Sequence, residues 1–278
     1  MGDTGVVIYS NSVFGARTNY EGGPSALAAA LTGRTPRYGF HLDENRHGTR
    51  LFQVEEQPKD WSQWGALGGF IGREMGSYYE VPVIKGIDVT PSSDDLKHFG
   101  AAMASFGSTA LFHMVAITPE APTVEAVFED TPPAPHVITN EDMDAFFATY
   151  AMDDDALDVV VFAAPQLSLY ELERLAKLLK GQTIHSDVAL LVATNPENKR
   201  AAERMGLDDM ISGSGAILME GVCFYQMHAR ELGEANAWTR LMTNSAKLVN
   251  IISGYGYEPV LSDMERCVQS AIAGKIVR

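Results

Sequence analysis

The sequence predicts an α/β protein of two lobes, each a mainly parallel sheet flanked by helices. Short, unbroken aliphatic runs, such as residues 158–163 and 188–193, alternate with segments that carry helix start and stop signals. Strands of this composition are typical of parallel sheets that helices cover on both faces. A length of 278 residues allows either one large core or two lobes. We expect residues 1–86 and 212–278 to form the first lobe, and residues 87–211 the second.

The opening of the chain is expected to be a buried strand, because residues 6–9 read Val-Val-Ile-Tyr. A polar loop follows it. Pro24 at a first helical position and a run of Ala and Leu then predict a helix that ends near Gly33. The small side chains of this helix predict very close packing against another element. A core strand that begins so early suggests a truncated chain, or a sheet that a partner completes.

Capping signals locate the later helices. Ser92 caps one helix, and Thr139 with Asp142 has the Thr-x-x-Asp form that starts another. Residues 52–80, with five glycines between positions 65 and 76, are expected to be irregular. Helices are therefore predicted over residues 92–104, 139–150, 168–180 and 196–205, and strands over residues 109–115, 158–163 and 188–193.

Composition narrows the class of protein. Lys and Arg number 21 against 36 Asp and Glu, a net charge of −15 without a cluster of basic residues. Such a chain is a poor match for nucleic acid or an anionic membrane surface. Two cysteines cannot form a disulfide scaffold, and the sequence shows neither a signal peptide nor an apolar run long enough for a membrane span. We expect a cytoplasmic protein.

The polar loop before the first predicted helix is the first candidate site. In doubly wound sheets, ligands gather beyond the carboxyl ends of strands, and this loop follows the predicted opening strand. A guanidinium flanked by amide and hydroxyl donors suits a carboxylate or a phosphate, and the helix start at Ser25 adds backbone N–H groups. The alternative is that these residues close a tight loop and cap the helix. The candidate binding residues are Ser10, Asn11, Ser12, Arg17, Thr18, Asn19 and Ser25.

Two further segments could complete the site. Glu44, beside Asn45 and Arg46, could act as a general base or orient the loop, although alternating charges usually form a solvated face. Asn244 and the residues up to Lys247 fall at a predicted helix start, an arrangement that binds anions. An ordinary capped helix with a surface lysine explains that second segment equally well.

The sequence lacks the standard metal, redox and nucleotide motifs, such as C-x-x-C, H-E-x-x-H, G-x-G-x-x-G and the P-loop. Cys223 stands alone in an apolar context, where a cysteine is more often a small core residue than a ligand. Cys267 lies within a predicted helix and reads as a core residue.

Taken together and in this order, the polar segments resemble the large, catalytic subunit of the aconitase X family of hydro-lyases. The resemblance spans essentially the whole chain, and the first thirty residues carry its most specific part. The matching segments are SNSVFGARTN (10–19), EGGPSALAAA (21–30), TGRTP (32–36), HLDENR (41–46), GAAMAS (100–105), FH (112–113), TPEAP (118–122), SLYEL (168–172) and MTNSAK (242–247).

This resemblance implies an aconitase-like fold and the dehydration of a small hydroxy acid, such as a hydroxyproline or phosphomevalonate-type substrate. It also implies iron or an iron–sulfur cluster held largely by cysteines, and a small, swivelling subunit that closes over the substrate. The implied catalytic residues are Glu44 and Lys247, and Cys223 is the implied metal ligand. The implied substrate-binding residues are the seven of the loop and helix start together with Asn45, Arg46, Asn244 and Ser245.

The chain departs from the family pattern at its metal ligands. Where the family commonly has Gly-Cys-Pro-His, residues 163–166 read Ala-Ala-Pro-Gln. A typical large subunit also carries a cysteine-bearing segment before the part that matches Val6, and we expect a partner chain to supply it. Cys223 is then the remaining ligand, so this chain alone is not expected to build a three-cysteine cluster.

Two hypotheses follow. The chain is either a hydro-lyase component completed by other chains, or a non-catalytic paralogue that binds a hydroxy acid or a partner subunit. Ala164 and Gln166, in place of the family's cysteine and histidine, favour the second hypothesis. The retained polar segments favour the first, although binding alone would also explain them.

Overall fold

Two parallel sheets organise the chain, whose computed structural model describes residues 4–21 and 23–278. Residues up to 59, together with residues 64–145, form the first unit. Residues 60–63 and 146–278 form the second unit. Every strand pairing within the described residues is parallel. The predicted α/β class with parallel sheets is therefore confirmed.

The sheet of the first unit has four short strands in the order β3-β2-β1-β4. These strands are β1 (Arg50–Val54), β2 (Pro82–Lys85), β3 (His113–Met114) and β4 (His136–Ile138). The helices in this part of the chain are α1 (Thr4–Ser12), α2 (Gly23–Thr32), α3 (Trp61–Met75), α4 (Ser93–Gly107) and α5 (Asn140–Ala148), of which residues 61–63 and 146–148 count with the second unit.

The sheet of the second unit has five strands in the order β7-β6-β5-β8-β9. They are β5 (Val159–Leu167), β6 (Ala189–Thr194), β7 (Ile217–Glu220), β8 (Arg240–Thr243) and β9 (Glu258–Leu261). The strand order reverses between β5 and β8, and ligands of such sheets bind beyond the carboxyl ends of the two strands at that point. The helices are α6 (Leu169–Leu179), α7 (Pro196–Arg204), α8 (Leu207–Gly213), α9 (Ala229–Asn236), α10 (Ala246–Ile252) and α11 (Met264–Ala273).

The predicted helix starts at Ser92, Ser168 and Pro196 are confirmed. Ser92 and Ser168 each form a capping box, with Asp95 and Glu171 respectively at the third helical position. The Asn195 side chain accepts a hydrogen bond from the Asn198 backbone at the start of α7. Each of these bonds satisfies a backbone N–H that has no partner within the helix. The strand predicted over residues 109–115, by contrast, is limited to β3.

The glycine-rich stretch at residues 65–76 is a helix and not irregular. A Cβ atom at Gly68 would lie 2.0 Å from the Phe99 carbonyl oxygen, and one at Gly72 would lie 2.5 Å from that of Met103. The glycines thus let the backbone of α3 approach that of α4 more closely than any side chain would allow. Close helix packing, which the sequence analysis assigned to α2, occurs here.

The prediction of a strand over residues 6–9 is wrong, because these residues lie in α1. Val7, Ile8, Asn11 and Ser12 are buried, and this spacing places them on one face of a helix. A short apolar run cannot distinguish a buried strand from a buried helix. Here the packing decides, since a Cβ at Gly100 of α4 would lie 3.2 Å from Ile8 Cγ2.

The helix that follows the polar loop is confirmed as α2, but its predicted close packing is wrong. No described side chain of α2 is buried. Leu27 and Leu31 are 60% and 78% exposed. Their run of Ala and Leu reflects helix propensity.

The predicted lobe boundaries also differ from the structure. Residues 212–278 were assigned to the first lobe, but they contain β7, β8 and β9, which extend the second sheet. Strand β8 pairs with β5 through Leu241 and Met242, so the end of the chain stays with the second unit. Among the described helices, none combines the length and apolar character needed to cross a membrane.

Candidate functional site

The loop that follows α1 is held in shape by the buried side chain of Asn11. Its amide nitrogen donates to the carbonyl oxygens of Thr18 and Ala110, at 3.0 and 2.8 Å. Its amide oxygen accepts from the Thr18 backbone at 3.0 Å. Ser12, also buried, accepts from the Phe112 backbone at 2.9 Å. Asn11 and Ser12 therefore bond within the protein, and the structure gives them the loop-closing role.

Thr18 and Asn19 bond in the same way, around the carboxylate of Glu21. The Thr18 hydroxyl and the Asn19 backbone donate to Glu21 Oε2, and His41 Nε2 donates to Glu21 Oε1 at 2.6 Å. Burial raises the pKa of Glu21, but these hydrogen bonds outweigh burial and lower the pKa to about 2. The Asn19 side chain accepts from the Phe40 backbone at 2.5 Å. The ionised Glu21 thus ties the loop to residues 38–41.

Arg17 carries the positive charge of this loop towards solvent. Its Nη2 lies 2.5 Å from Asp43 Oδ1, and its Nη1 lies 3.1 Å from Glu120 Oε1. Arg46 differs from Arg17, because its side chain is only 3% exposed and donates to Glu120 and to two backbone carbonyl oxygens. Arg46 thus supports the loop from a buried position, and its predicted role in substrate binding stays a prediction. Arg17 is placed where a carboxylate or phosphate could reach it.

The remaining predicted residues of the first unit are separated from one another. Ser10 is half-buried in α1, and Ser25 lies exposed on α2. Glu44 and Asn45, both exposed, line a cavity of about 600 Å³ together with aromatic side chains that include Tyr78. Burial raises the pKa of the Tyr78 hydroxyl, and Tyr38 and Glu21 add to this rise. The structure thus brings Asp43, rather than Glu44, into contact with Arg17.

The carboxyl edge of the second sheet gathers the third predicted segment. Asn244, Ser245 and Lys247 follow β8 directly, and all three are buried. Ser245 caps α10 by accepting from the Leu248 backbone at 3.1 Å, and it donates to the Ala164 carbonyl oxygen at 2.6 Å. Ala164 has a φ of +54°, which is costly for a residue with a Cβ. Ser245 therefore holds a strained part of β5 beside the point where the strand order reverses.

Asn244 has an unusual environment at this edge. Its side chain is 2% exposed, and its Nδ2 has no hydrogen-bond partner within the part of the chain that the structure describes. A buried donor without a partner costs free energy, and native proteins rarely retain one without a ligand, water or functional reason. The missing partner is an acceptor, such as an oxygen atom of an anion.

The metal site implied by the resemblance does not fit the residues present. Cys223 is half-buried and lies just after β7. The carbonyl oxygen of the preceding residue, Val222, accepts a hydrogen bond from Gln166 Nε2 at 2.8 Å. Iron–sulfur clusters are held by several thiolates, whereas this edge offers one thiol with amides and a hydroxyl. Cys267 is fully buried in α11, where burial raises the pKa of its thiol. Within residues 4–21 and 23–278, no group of three metal-ligating side chains forms.

Sequence reasoning missed Glu21, His113 and Glu120 as parts of the loop site. Glu120 is 103 residues from Arg17 along the chain, so no local spacing joins the two. His113 Nε2 donates to the Arg46 carbonyl oxygen at 2.7 Å, and burial lowers the pKa of this imidazole. His113 and Glu120 do lie in segments that carry the family resemblance. That resemblance is the signal that could have found them.

Comparison with family models gives three consecutive matches. The aconitase X first domain matches residues 1–44, the second domain matches residues 48–148, and the third domain matches residues 157–273. The gap between the last two matches falls just after residue 145, where the first unit of the structure ends.

Curated relatives and a solved structure agree with these matches. The phosphomevalonate dehydratase large subunit of Methanothermobacter thermautotrophicus is 37% identical, over 94% of this chain and 62% of that protein. The protein of the same name from Thermococcus kodakarensis is 32% identical, over 97% and 67%. Cis-3-hydroxy-L-proline dehydratase of Pseudomonas aeruginosa is 31% identical, over 98% and 47%. The crystal structure of Thermococcus kodakaraensis aconitase X (holo-form) superposes with a TM-score of 0.82 at 29% identity, over 97% of this chain and 67% of that one.

The chain thus spans about two thirds, or less, of the length of these relatives, and 62% of the first one named. Nearly all of its own length is matched, in the family's domain order and with the family's fold. The chain belongs to the aconitase X family.

Proposed function

We propose that this chain is part of a hydro-lyase of the aconitase X type, which dehydrates a small hydroxy acid. The observation that carries the proposal is the buried Asn244 Nδ2, for which the described residues provide no acceptor, at the carboxyl edge of a parallel sheet where the strand order reverses. The relatives named above act, by their names, on phosphomevalonate and on cis-3-hydroxy-L-proline. Both substrates are small, oxygen-rich acids, and either would supply the acceptor that Asn244 lacks.

The residues of this chain can hold such an acid. Asn244 Nδ2 donates to a carboxylate or phosphate oxygen, and Lys247 supplies a second nitrogen in the first turn of α10. Within the first unit, Arg17 is a separate candidate contact, because its guanidinium can bind a carboxylate or phosphate in a bidentate manner. Dehydration requires loss of a proton beside the acid group and departure of a hydroxyl, and oriented donors favour the charge that develops on the acid. The role of Glu44 as the general base stays a prediction.

Completion of the enzyme is proposed to involve other chains. Some relatives are named large subunits, and this supports a small-subunit partner for the present chain. The carboxyl edge of the second sheet offers one accessible thiol among the described residues, that of Cys223. Because a cluster needs several thiolates, we assign no chemical step to iron. A second chain could also supply ligands that this one lacks. The cytoplasm is the compartment that we propose for the assembly.

The test begins with binding by the full chain. Isothermal titration with cis-3-hydroxy-L-proline and with 5-phosphomevalonate should detect one of the two acids, and Asn244→Ala should weaken its binding at least tenfold. Loss of a charge-assisted hydrogen bond of about 1.5–3 kcal/mol has this effect. Asn236→Ala is the control, because the Asn236 side chain is exposed on α9 and donates to the Leu232 carbonyl oxygen one turn earlier in the same helix. Dehydration is then followed by NMR, with a cognate small subunit present.

The second candidate function is a non-catalytic paralogue that binds a hydroxy acid. Ala164 and Gln166, together with the absence of a metal-ligating group in the described residues, favour it. Binding that Asn244→Ala abolishes, without any dehydration by the assembled and metal-supplied protein, would select this alternative. If the wild-type chain binds neither acid, or if Asn244→Ala binds as well as wild type, the assignment of the site is wrong.

A further inference from the structure

The two carboxylates that hold Arg17 differ in how they are supported. Arg17 is 37% exposed, and its two terminal nitrogens pair with Asp43 and Glu120. The Glu120 side chain is 25% exposed, whereas that of Asp43 is 84% exposed. One guanidinium is therefore shared between an enclosed carboxylate and an open one.

Glu120 belongs to a rigid part of the first unit. Arg46 Nε donates to Glu120 Oε2 at 2.9 Å, and Arg46 Nη2 donates to Oε1, so the pair is bidentate. Arg46 in turn donates to the Phe40 carbonyl oxygen at 3.1 Å and to that of Asn11 at 3.0 Å. A buried arginine with four such bonds has little freedom to move. It fixes the Glu120 carboxylate, and the carboxylate fixes Arg17 Nη1.

Asp43 lacks comparable support. Asp43 is the first residue of a short 3-10 turn at residues 43–45. Among the described residues, the side chain that its carboxylate contacts is that of Arg17. An ion pair that is so exposed contributes little free energy, because water screens it and two side chains lose freedom to form it. A competing oxyanion can therefore take the place of Asp43 at small cost, while Glu120 stays in position.

We propose that Glu120 is the positioning residue for Arg17, and that Asp43 is an exchangeable internal anion which an incoming oxyanion displaces. The inference rests on the proposed role of Arg17 in binding the acid. The Asp43 carboxylate accepts from Arg17 Nη2, the donor that a ligand carboxylate or phosphate would use. Asp43 and Glu120 therefore have opposite effects on affinity, although both carry one negative charge and both contact the same guanidinium.

The experiment uses the full chain and two simple probes, inorganic phosphate and malonate, which distinguish a phosphate site from a carboxylate site. Binding is followed by titration calorimetry and by the NMR signal of the Arg17 Nε–H group. Asp43→Asn should tighten binding of at least one probe about three- to tenfold. Glu120→Gln should weaken it about tenfold and broaden or shift the Arg17 signal in the absence of probe. Glu120→Asp, which keeps the charge, should restore part of the affinity.

Asp144→Asn is the matched control, because it removes one exposed negative charge of the same unit at a residue outside the cavity lined by Glu44 and Asn45. Unchanged or weaker binding by Asp43→Asn would overturn the exchange, and so would an equal gain from Asp144→Asn. Wild-type affinity and an unshifted Arg17 signal in Glu120→Gln would overturn the positioning role. If both probes fail to bind wild type and Asp43→Asn alike, the inference is also wrong. If the variants change affinity as expected but the assembled protein dehydrates neither acid, the proposed function is wrong and this inference still holds.

Discussion

The loop after α1 and the carboxyl edge of the second sheet are both rich in polar side chains, but their polar atoms are used differently. Asn11, at the end of α1, and Asn244, at the sheet edge, are both buried, at 0% and 2% exposure. Asn11 makes three hydrogen bonds that close the loop. The Nδ2 of Asn244 makes none within the described residues. The same type of side chain thus stabilises the fold in one place and keeps a donor without a partner among the described residues in the other.

This difference teaches that a conspicuous polar motif is weak evidence for ligand contact. Residues 10–19, the end of α1 and the loop after it, have six polar or charged side chains, which makes this segment the stronger candidate from sequence. Most of its donors form hydrogen bonds with Glu21 and with backbone carbonyl oxygens. The Arg17 side chain extends from this hydrogen-bonded segment towards solvent. The segment at the sheet edge reads as an ordinary capped helix, yet its Asn244 has a buried donor for which the described residues provide no acceptor.

The sharpest test of the comparison exchanges each asparagine for alanine. Asn11→Ala should lower the free energy of unfolding by about 3 kcal/mol, since three hydrogen bonds worth about 1 kcal/mol each are lost. Asn244→Ala should stay within about 1 kcal/mol of wild type, because removing a donor without a partner relieves its desolvation cost and offsets the lost packing. Urea unfolding followed by circular dichroism measures both values. Equal losses for the two variants would contradict the contrast.

A second test uses pH to release the loop. The pKa of Glu21 falls from 4.5 to about 2 in the folded protein. A carboxyl with a lowered folded pKa contributes stability that is fully present above pH 4.5 and is lost as the pH falls towards 2. The contribution is at most about 3 kcal/mol at neutral pH, because water screens part of the interaction at this partly buried carboxylate. The stability difference between wild type and Glu21→Gln should therefore be largest near pH 6 and should shrink as the pH approaches 2.5.

Thr18→Val provides the matched variant for this test. It removes one donor to the Glu21 carboxylate and leaves the Asn19 backbone and His41 in place. Its stability should fall between those of wild type and Glu21→Gln at pH 6, and the three proteins should converge at low pH. A difference that stays constant from pH 6 to pH 2.5 would show that the Glu21 hydrogen bonds do not stabilise the ionised form.

The sequence reveals those parts of the fold and site that depend on local signals. The helix starts at Ser92 and Ser168 and the aliphatic strands of the second sheet are predicted correctly. The hydrogen bonds and the apolar runs that define them involve residues close together in the sequence. The opening helix was missed because Val7 and Ile8 fit a strand equally well until Gly100 packs against them. The Arg17–Glu120 pair was missed for a related reason, since it joins segments that only the folded chain brings together. Family resemblance located these segments, but it could not state which side chains meet.

The last and smallest effect concerns iron, and it tests whether the sheet edge resembles a complete metal centre. Cys223 is half-buried beside the candidate site, whereas Cys267 is fully buried and burial keeps its thiol protonated by raising its pKa. One accessible thiol cannot assemble a cluster that needs several thiolates. The chain purified alone under anaerobic conditions should therefore hold less than one iron per chain and lack the charge-transfer absorption of a cluster. Cys223→Ser should lower whatever iron is retained, and Cys267→Ser should leave it unchanged. A stoichiometric cluster in the lone wild-type chain would mean that this edge contains ligands that neither the sequence motifs nor the described side chains identify.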